Sequence, residues 1–187
     1  MIHAIFNCDA EKVAQLLETC DEDEELSGLQ DREKRLPIHA AAYMGDVDVL
    51  NTVIKASLES KNSRVNAKDS KWLTPLHRAC RMGVEVSDEI ILKNFKHNNK
   101  DLKSQLLFQG AVNLLLNNGA DVNARDKNWQ TPAHIAAANN AVRCMECLIP
   151  NMSNINITDR MGRTSLHLAA YYGHYDVNEW FLSGLHI

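Results

Sequence analysis

Thr74-Pro75-Leu76-His77-Arg78-Ala79 decides the reading of this chain, because it recurs. Its copies are Leu36-Pro37-Ile38-His39-Ala40-Ala41, Thr131-Pro132-Ala133-His134-Ile135-Ala136 and Thr164-Ser165-Leu166-His167-Leu168-Ala169. An Asp stands eight residues before each His: Asp31, Asp69, Asp126 and Asp159. The last two His residues are 33 positions apart (167 − 134). A motif repeated at such a period describes one small helical unit stacked on copies of itself, which offers an extended surface and not a pocket.

Each copy carries its own punctuation. Thr131 is placed to cap a helix by accepting a first-turn N–H, and Pro132 follows at the first helical position, where no N–H is needed. Six residues after each His stand Gly45, Gly83, Asn140 and Gly173, residue types that tolerate the left-handed conformation ending a helix. A second helix is marked by Val49-Leu50-x-x-Val53-Ile54, Val112-x-Leu114-Leu115-Leu116 and Val142 with Cys147-Leu148-Ile149. Extended stretches such as Val65-Asn66-Ala67-Lys68-Asp69 and Val122-Asn123-Ala124-Arg125-Asp126 then lead into a turn. The expected fold is an all-α repeat solenoid of helix-turn-helix pairs linked by hairpin-like fingers. No unit buries its apolar face alone, so neighbours must stack.

Bulk properties agree. Of 187 residues 45% are hydrophobic and only 6% aromatic, so the core is built from Ala, Leu, Val and Ile. A net charge of −4 names no partner class. No apolar run reaches the ~18 residues of a membrane span. The start, Met1-Ile2-His3-Ala4-Ile5-Phe6, lacks the pattern of a secretory signal. Five cysteines without framework spacing read as free thiols in a reducing compartment, so an intracellular location, cytoplasmic or nuclear, is expected. Asn151-Met152-Ser153 and Asn156-Ile157-Thr158 match a glycosylation acceptor and are read as loop residues.

The divisions follow from the motif: a worn first repeat with an acidic loop at 1–30, then repeats at 31–68, 69–125, 126–158 and 159–187. In the first, Ile2 to Phe6 and Val13-x-x-Leu16-Leu17 stand for the two helices, and Asp21-Glu22-Asp23-Glu24-Glu25 is a solvated loop or a docking site for a basic partner. Two intervals are long. His39 to His77 is 38 residues, with the excess expected in Ala56 to Ser63. His77 to His134 is 57, an excess of 24 over 33, placed near 84–107. That stretch, polar at Lys93 to Lys100, is a loop insertion with or without a role, or an unspliced intron; Glu89-Ile90-Ile91-Leu92 is its helical candidate.

A repeated T-P-L-H-x-A at this period is similar to the ankyrin repeat. Longer strings resemble one family more specifically: Ala4-Ile5-Phe6-Asn7, Glu33-Lys34-Arg35, His39 to Tyr43, Arg64 to Arg78, Asp121 to Pro132, and Asp159-Arg160. They resemble the N-terminal repeats of the regulatory ankyrin-repeat subunits of protein phosphatase 6, over nearly the whole chain outside the two long intervals. The resemblance implies a non-catalytic scaffold that holds a phosphatase catalytic subunit through a second regulatory subunit. It also implies a longer array, of which this chain is an N-terminal portion with an uncapped final helix at Val177 to Leu182. Leu36 in place of a capping Thr, Ala133 in place of Leu and the 24-residue insertion depart from the pattern, and the insertion questions the integrity of the second repeat.

Candidate binding residues follow from position. The third residue after each motif Asp is Gly162 in the last repeat, but Lys34, Trp72 and Trp129 in the others. Trp72 and Trp129 are expected to contact a partner, the alternative being packing on the neighbouring finger. Around them lie Arg32, Lys34, Arg35, Lys68, Lys71, Arg125, Lys127, Arg160 and Arg163, a basic edge on an acidic protein that would steer an acidic protein surface. Nucleic acid is disfavoured for want of a base-reading module. On the first helix, Tyr43, Met44, Arg81, Met82, Tyr171 and Tyr172 are expected to face the groove, as interface or as plain solvated surface.

The repeated His and Asp read as structural, the His bonding backbone within its own turn and the Asp bracing the finger, in preference to a metal ladder. Cys144-x-x-Cys147 is the one motif open to an enzymatic reading; lying in a helix without partner ligands, it reads as packing. No metal, cofactor or small-molecule substrate is expected.

Overall fold

The computed structural model describes residues 4–5, 7, 9–18, 30–59, 64–81 and 100–184. The acidic run at 21–25, the candidate helix at 89–92, Met82 and Gly83 lie outside them.

Nine α-helices are present among the described residues: α1 (Ala10–Glu18), α2 (Pro37–Met44), α3 (Val47–Glu59), α4 (Pro75–Arg81), α5 (Lys100–Asn117), α6 (Pro132–Ala138), α7 (Val142–Leu148), α8 (Ser165–Tyr171) and α9 (Tyr175–Gly184). They form two layers. The short motif helices α2, α4, α6 and α8 pack each on the next, and α1, α3, α5, α7 and α9 do the same in the second layer. One continuous core runs between the layers, from Ile5 and Val13 through Leu50, Leu76, Leu115 and Leu148 to Ala169 and Val177. The small residues Ala41, Ala79, Ala136 and Ala169 are fully buried where successive motif helices meet, which is why so few aromatics suffice.

Helix limits follow the local chemistry. Gly45 (φ 74°), Asn140 (φ 51°) and Gly173 (φ 72°) sit in the left-handed region after α2, α6 and α8, and Gly119 (φ 82°) ends α5. The Thr caps work differently from expectation. At Thr131 no hydroxyl-to-backbone cap forms; its N–H donates to His134 Nδ1 at 3.2 Å and its Oγ1 lies 2.8 Å from the same nitrogen. His77 and His167 N–H do reach Thr74 and Thr164 Oγ1, but at 3.5 and 3.4 Å. The His side chain is thus the principal cap, and the Thr hydroxyl holds the ring. Leu36 gives up that hydroxyl, keeps the N–H bond to His39 Nδ1 (3.1 Å), and buries its side chain.

The described parts of the two long intervals lie in the second layer. Ala56 to Glu59 continue α3, which reaches 13 residues. Residues 100–107, expected within the loop insertion, instead begin α5, an 18-residue helix. The motif helices stay at 7 or 8 residues. Their length is held at both ends by finger and cap, whereas a second-layer helix can grow outward without disturbing the stack. Gly110 marks close approach of α5 to α3: a Cβ there would lie 2.8 Å from Val47 Cγ2.

Candidate functional site

Each finger is built on its Asp. Asp69 Oδ1 accepts the N–H of Lys71 (2.8 Å) and of Leu73 (2.9 Å), and the same pair of bonds recurs at Asp31, Asp126 and Asp159. The Asp main chain closes the turn: Asp69 N–H donates to Leu73 O, and Trp72 N–H donates to Asp69 O. Burial alone would raise the Asp69 carboxyl, but the hydrogen bond from Arg78 and the two backbone N–H bonds hold it below the usual carboxylate value. Asp31 and Asp159 are held down in the same way, by Arg35 and Arg163. Asp126 has no guanidinium partner among the described residues, because Gln130 stands where Arg35 and Arg163 stand in other fingers.

The His residues do more than cap. With Nδ1 accepting an N–H, the proton belongs on Nε2. His77 Nε2 lies 3.0 Å from Gln130 O in the next finger; His39 reaches Ala67 O and Leu73 O, and His134 reaches Arg163 O at 3.0 Å. Burial lowers the affinity of all three for a second proton, that of His77 to a pKa of about 4. The bonds therefore extend beyond the expected single turn and clamp neighbours together.

The fingers are also joined directly. Ser70 N–H donates to Glu33 O (2.8 Å), Lys127 N–H to Lys71 O (3.2 Å) and Arg160 N–H to Asn128 O (2.9 Å). The Lys127 bond spans the insertion, as do Lys68 Nζ to Arg125 O and the pair Asn66–Gly119 and Asp121–Asn66. Among the described residues, the fingers on either side of the insertion are therefore bonded to each other directly.

This geometry lines up the residues three after each Asp. Lys34 (φ 57°), Trp72 (φ 64°) and Trp129 (φ 63°) all occupy left-handed backbone, as Gly162 (φ 74°) does in the last finger. That conformation costs a bulky residue about 1 kcal/mol or more. Both rings stand half exposed, at 50% and 49%. Lys68 Nζ lies 5.2 Å from the Trp72 ring; Arg125 and Arg160 lie 5.5 and 5.8 Å from that of Trp129. Each such contact contributes about 0.5–1 kcal/mol at an exposed site.

The other expected residues are distributed unevenly. Lys34, Lys71, Lys127 and Arg160 are exposed along the same edge. Arg35 and Arg163 are paired with Asp31 (2.6 Å) and Asp159 (2.8 Å), so their charge is largely used within the finger. Arg81, Tyr171 and Tyr172 are exposed, the two tyrosines in a T-shaped contact at 5.1 Å. Tyr43 is half-buried against the core, and Met44, expected on the groove, is buried at the end of α2. Met161 and Tyr175, at 75% and 82% exposure, were missed; Met161 sits beside Gly162 in the finger register, which would have placed it. Arg78, read only as part of the motif, is buried and bonded to Asp69. Cys144 and Cys147 are buried on α7, and burial pushes the Cys147 thiol up, away from the reactive thiolate.

A family description of ankyrin repeats in three copies matches residues 104–187. Residues 104–187 carry ankyrin repeats. A putative ankyrin repeat protein of Rickettsia bellii is 29% identical over 140 residues, 74% of this chain and 62% of that protein. Neurogenic locus notch homolog protein 1 of Xenopus laevis is 29% identical over 156 residues, 78% of this chain and 6% of its own length. Alpha-latrotoxin-Lg1a of Latrodectus geometricus is 31% identical over 141 residues, 74% of this chain and 8% of the toxin. The chain thus spans under two thirds of the length of each of these relatives. Ankyrin repeats are protein-interaction modules and generally not catalysts. Among the described residues no helix is long and apolar enough to cross a membrane.

Proposed function

We propose that this chain is a non-catalytic scaffold whose finger edge holds a partner protein, and that it serves a protein phosphatase 6 assembly as a regulatory ankyrin-repeat subunit. The observation that carries the first part is the pair Trp72 and Trp129. Both hold left-handed backbone that Gly would occupy without strain, and both keep half their ring in solvent. A residue kept against its backbone preference points to use of its side chain. Lys34, Lys71, Lys127 and Arg160 on the same edge favour an acidic partner surface. Arg81, Tyr43, Tyr171 and Tyr172 offer a second, weaker contact region on the motif helices.

The phosphatase assignment is supported by the resemblance of Arg64 to Arg78 and Asp121 to Pro132 to that family, including both tryptophans. A generic intracellular ankyrin adaptor with another partner is the second reading, favoured by relatives as different as a Notch homologue and a toxin.

Affinity capture with wild type and a Trp72→Ala, Trp129→Ala double variant tests both parts. Recovery of phosphatase 6 catalytic and regulatory subunits by wild type, and their loss with the variant, is expected. Failure to recover them when the complete repeat array is present sinks the phosphatase assignment. Unchanged capture by the variant sinks the finger-edge site.

A further inference from the structure

The finger edge has a built-in spacing. One main-chain bond fixes each finger against the last, and each finger contributes two antiparallel chain segments. Equivalent positions in neighbouring fingers therefore stand two strand spacings apart, about 9.5 Å. Packed motif helices impose a similar interval, about 8–10 Å between axes. Trp72 and Trp129 hold equivalent positions, so a partner that meets both rings must present like residues at that interval along one face.

An extended β-strand fits poorly. Three residues cover about 10 Å, but side chains alternate, so the third residue on points to the opposite side. An amphipathic helix lays a continuous apolar stripe into a groove, whereas here each ring is flanked by positive charge, Lys68 at Trp72 and Arg125 and Arg160 at Trp129. The polyproline II helix has three residues per turn and a rise of about 3.1 Å, returning a residue to the same face every ~9.3 Å.

We propose that the finger edge binds an acidic, proline-containing segment in the polyproline II conformation, its prolines at every third position seated against Trp72 and Trp129 and its carboxylates meeting Lys68, Arg125 and Arg160. The assignment rests on the finger edge being an interaction surface and adds the chemistry and period of its partner.

The test is fluorescence anisotropy of a labelled peptide of four Pro-Glu-Glu triplets titrated with the full chain. Trp72→Gly with Trp129→Gly removes both rings at positions whose backbone suits Gly, so the fold is preserved, with circular dichroism as the control. Binding is expected to weaken about tenfold or more in that variant. It is expected to weaken similarly when the same amino acids are shuffled to break the period of three. Equal affinity for the shuffled peptide, no effect of the double variant, or tighter binding of oligouridine overturns the proposal. If the variant loses captured protein partners but wild type ignores the Pro-Glu-Glu peptide, the scaffold reading stands and this one falls.

Discussion

The Nε2–H of His77 donates to the carbonyl oxygen of Gln130, 3.0 Å away and 53 residues further along the chain. The same bond joins His39 to Leu73 and His134 to Arg163, over 34 and 29 residues. Sequence separation almost doubles while the geometry is kept, so the long interval leaves this bond between neighbouring repeats in place.

Removing this clamp should be costly. His77→Ala strips Gln130 O and the Thr74 N–H of their partner in a buried place, at roughly 1–3 kcal/mol for each group. His167 makes the same bonds within its own turn but is exposed, so His167→Ala should cost about 1 kcal/mol. Urea unfolding of the two variants checks this; equal losses would show that the inter-repeat bond contributes nothing.

Acid should loosen the stack before it reaches the carboxylates. Burial lowers the His77 pKa from 6.5 to about 4, and shifts His39 and His134 in the same direction. Between those pH values the unfolded chain binds the extra proton and the folded chain does not, so stability rises with pH. The contribution is complete above about 6.5 and is lost as pH falls toward 4. Below that, protonation of Asp31, Asp69 and Asp159, all held under 3.8, removes the finger braces. Thermal melts across this range in wild type and His77→Gln should differ most near neutral pH and converge in acid.

Backbone strain at the finger tips predicts an unusual ranking. At Trp72 and Trp129, Gly should be the most stable replacement and Val the least, with a spread of about 1–2 kcal/mol or more, because only Gly accepts φ near 64° freely. A conventional ranking, with Val above Gly as in a strand, would contradict left-handed backbone at these sites. Chemical denaturation of the Gly, Ala and Val series decides it.

Gln130→Arg should stabilise the chain. It supplies Asp126 with the partner that Arg35 gives Asp31 and Arg163 gives Asp159, for a gain of about 0.5 kcal/mol that shrinks in high salt. The main-chain carbonyl that receives His77 is untouched. A melting temperature that falls, or a gain insensitive to salt, would count against the ion pair.

Gly110→Leu should destabilise by about 1–3 kcal/mol, against the usual preference of helices for Leu over Gly. The reason is the 2.8 Å approach of a Cβ to Val47 Cγ2. Partial recovery by Val47→Ala in the double variant would locate the clash between α3 and α5.

Much of the fold was legible because its signals are local. The Pro at the start of α2, α4 and α6, the Gly or Asn after a motif helix and the Asp eight residues before each His act within a few positions, so reading them in order set the helices and turns. The stretch Lys93 to Lys100 reads as polar loop, yet α5 starts at Lys100; as a whole that helix packs on α3, α4 and α7, contacts that its local sequence pattern does not announce. Met44 was misplaced by counting from the His without knowing which side of α2 meets the second layer.

The sequence by itself determined the repeat, its register and the finger positions at which Lys34, Trp72 and Trp129 replace Gly. Only the tertiary structure decided that His77 reaches Gln130, that Arg160 from the next finger stands over Trp129, and that the long interval leaves neighbouring fingers bonded. Caps and turns are fixed by dihedral preferences and hydrogen bonds a few residues long. Contacts between repeats depend on which surfaces stacking brings together, and chain distance does not encode that.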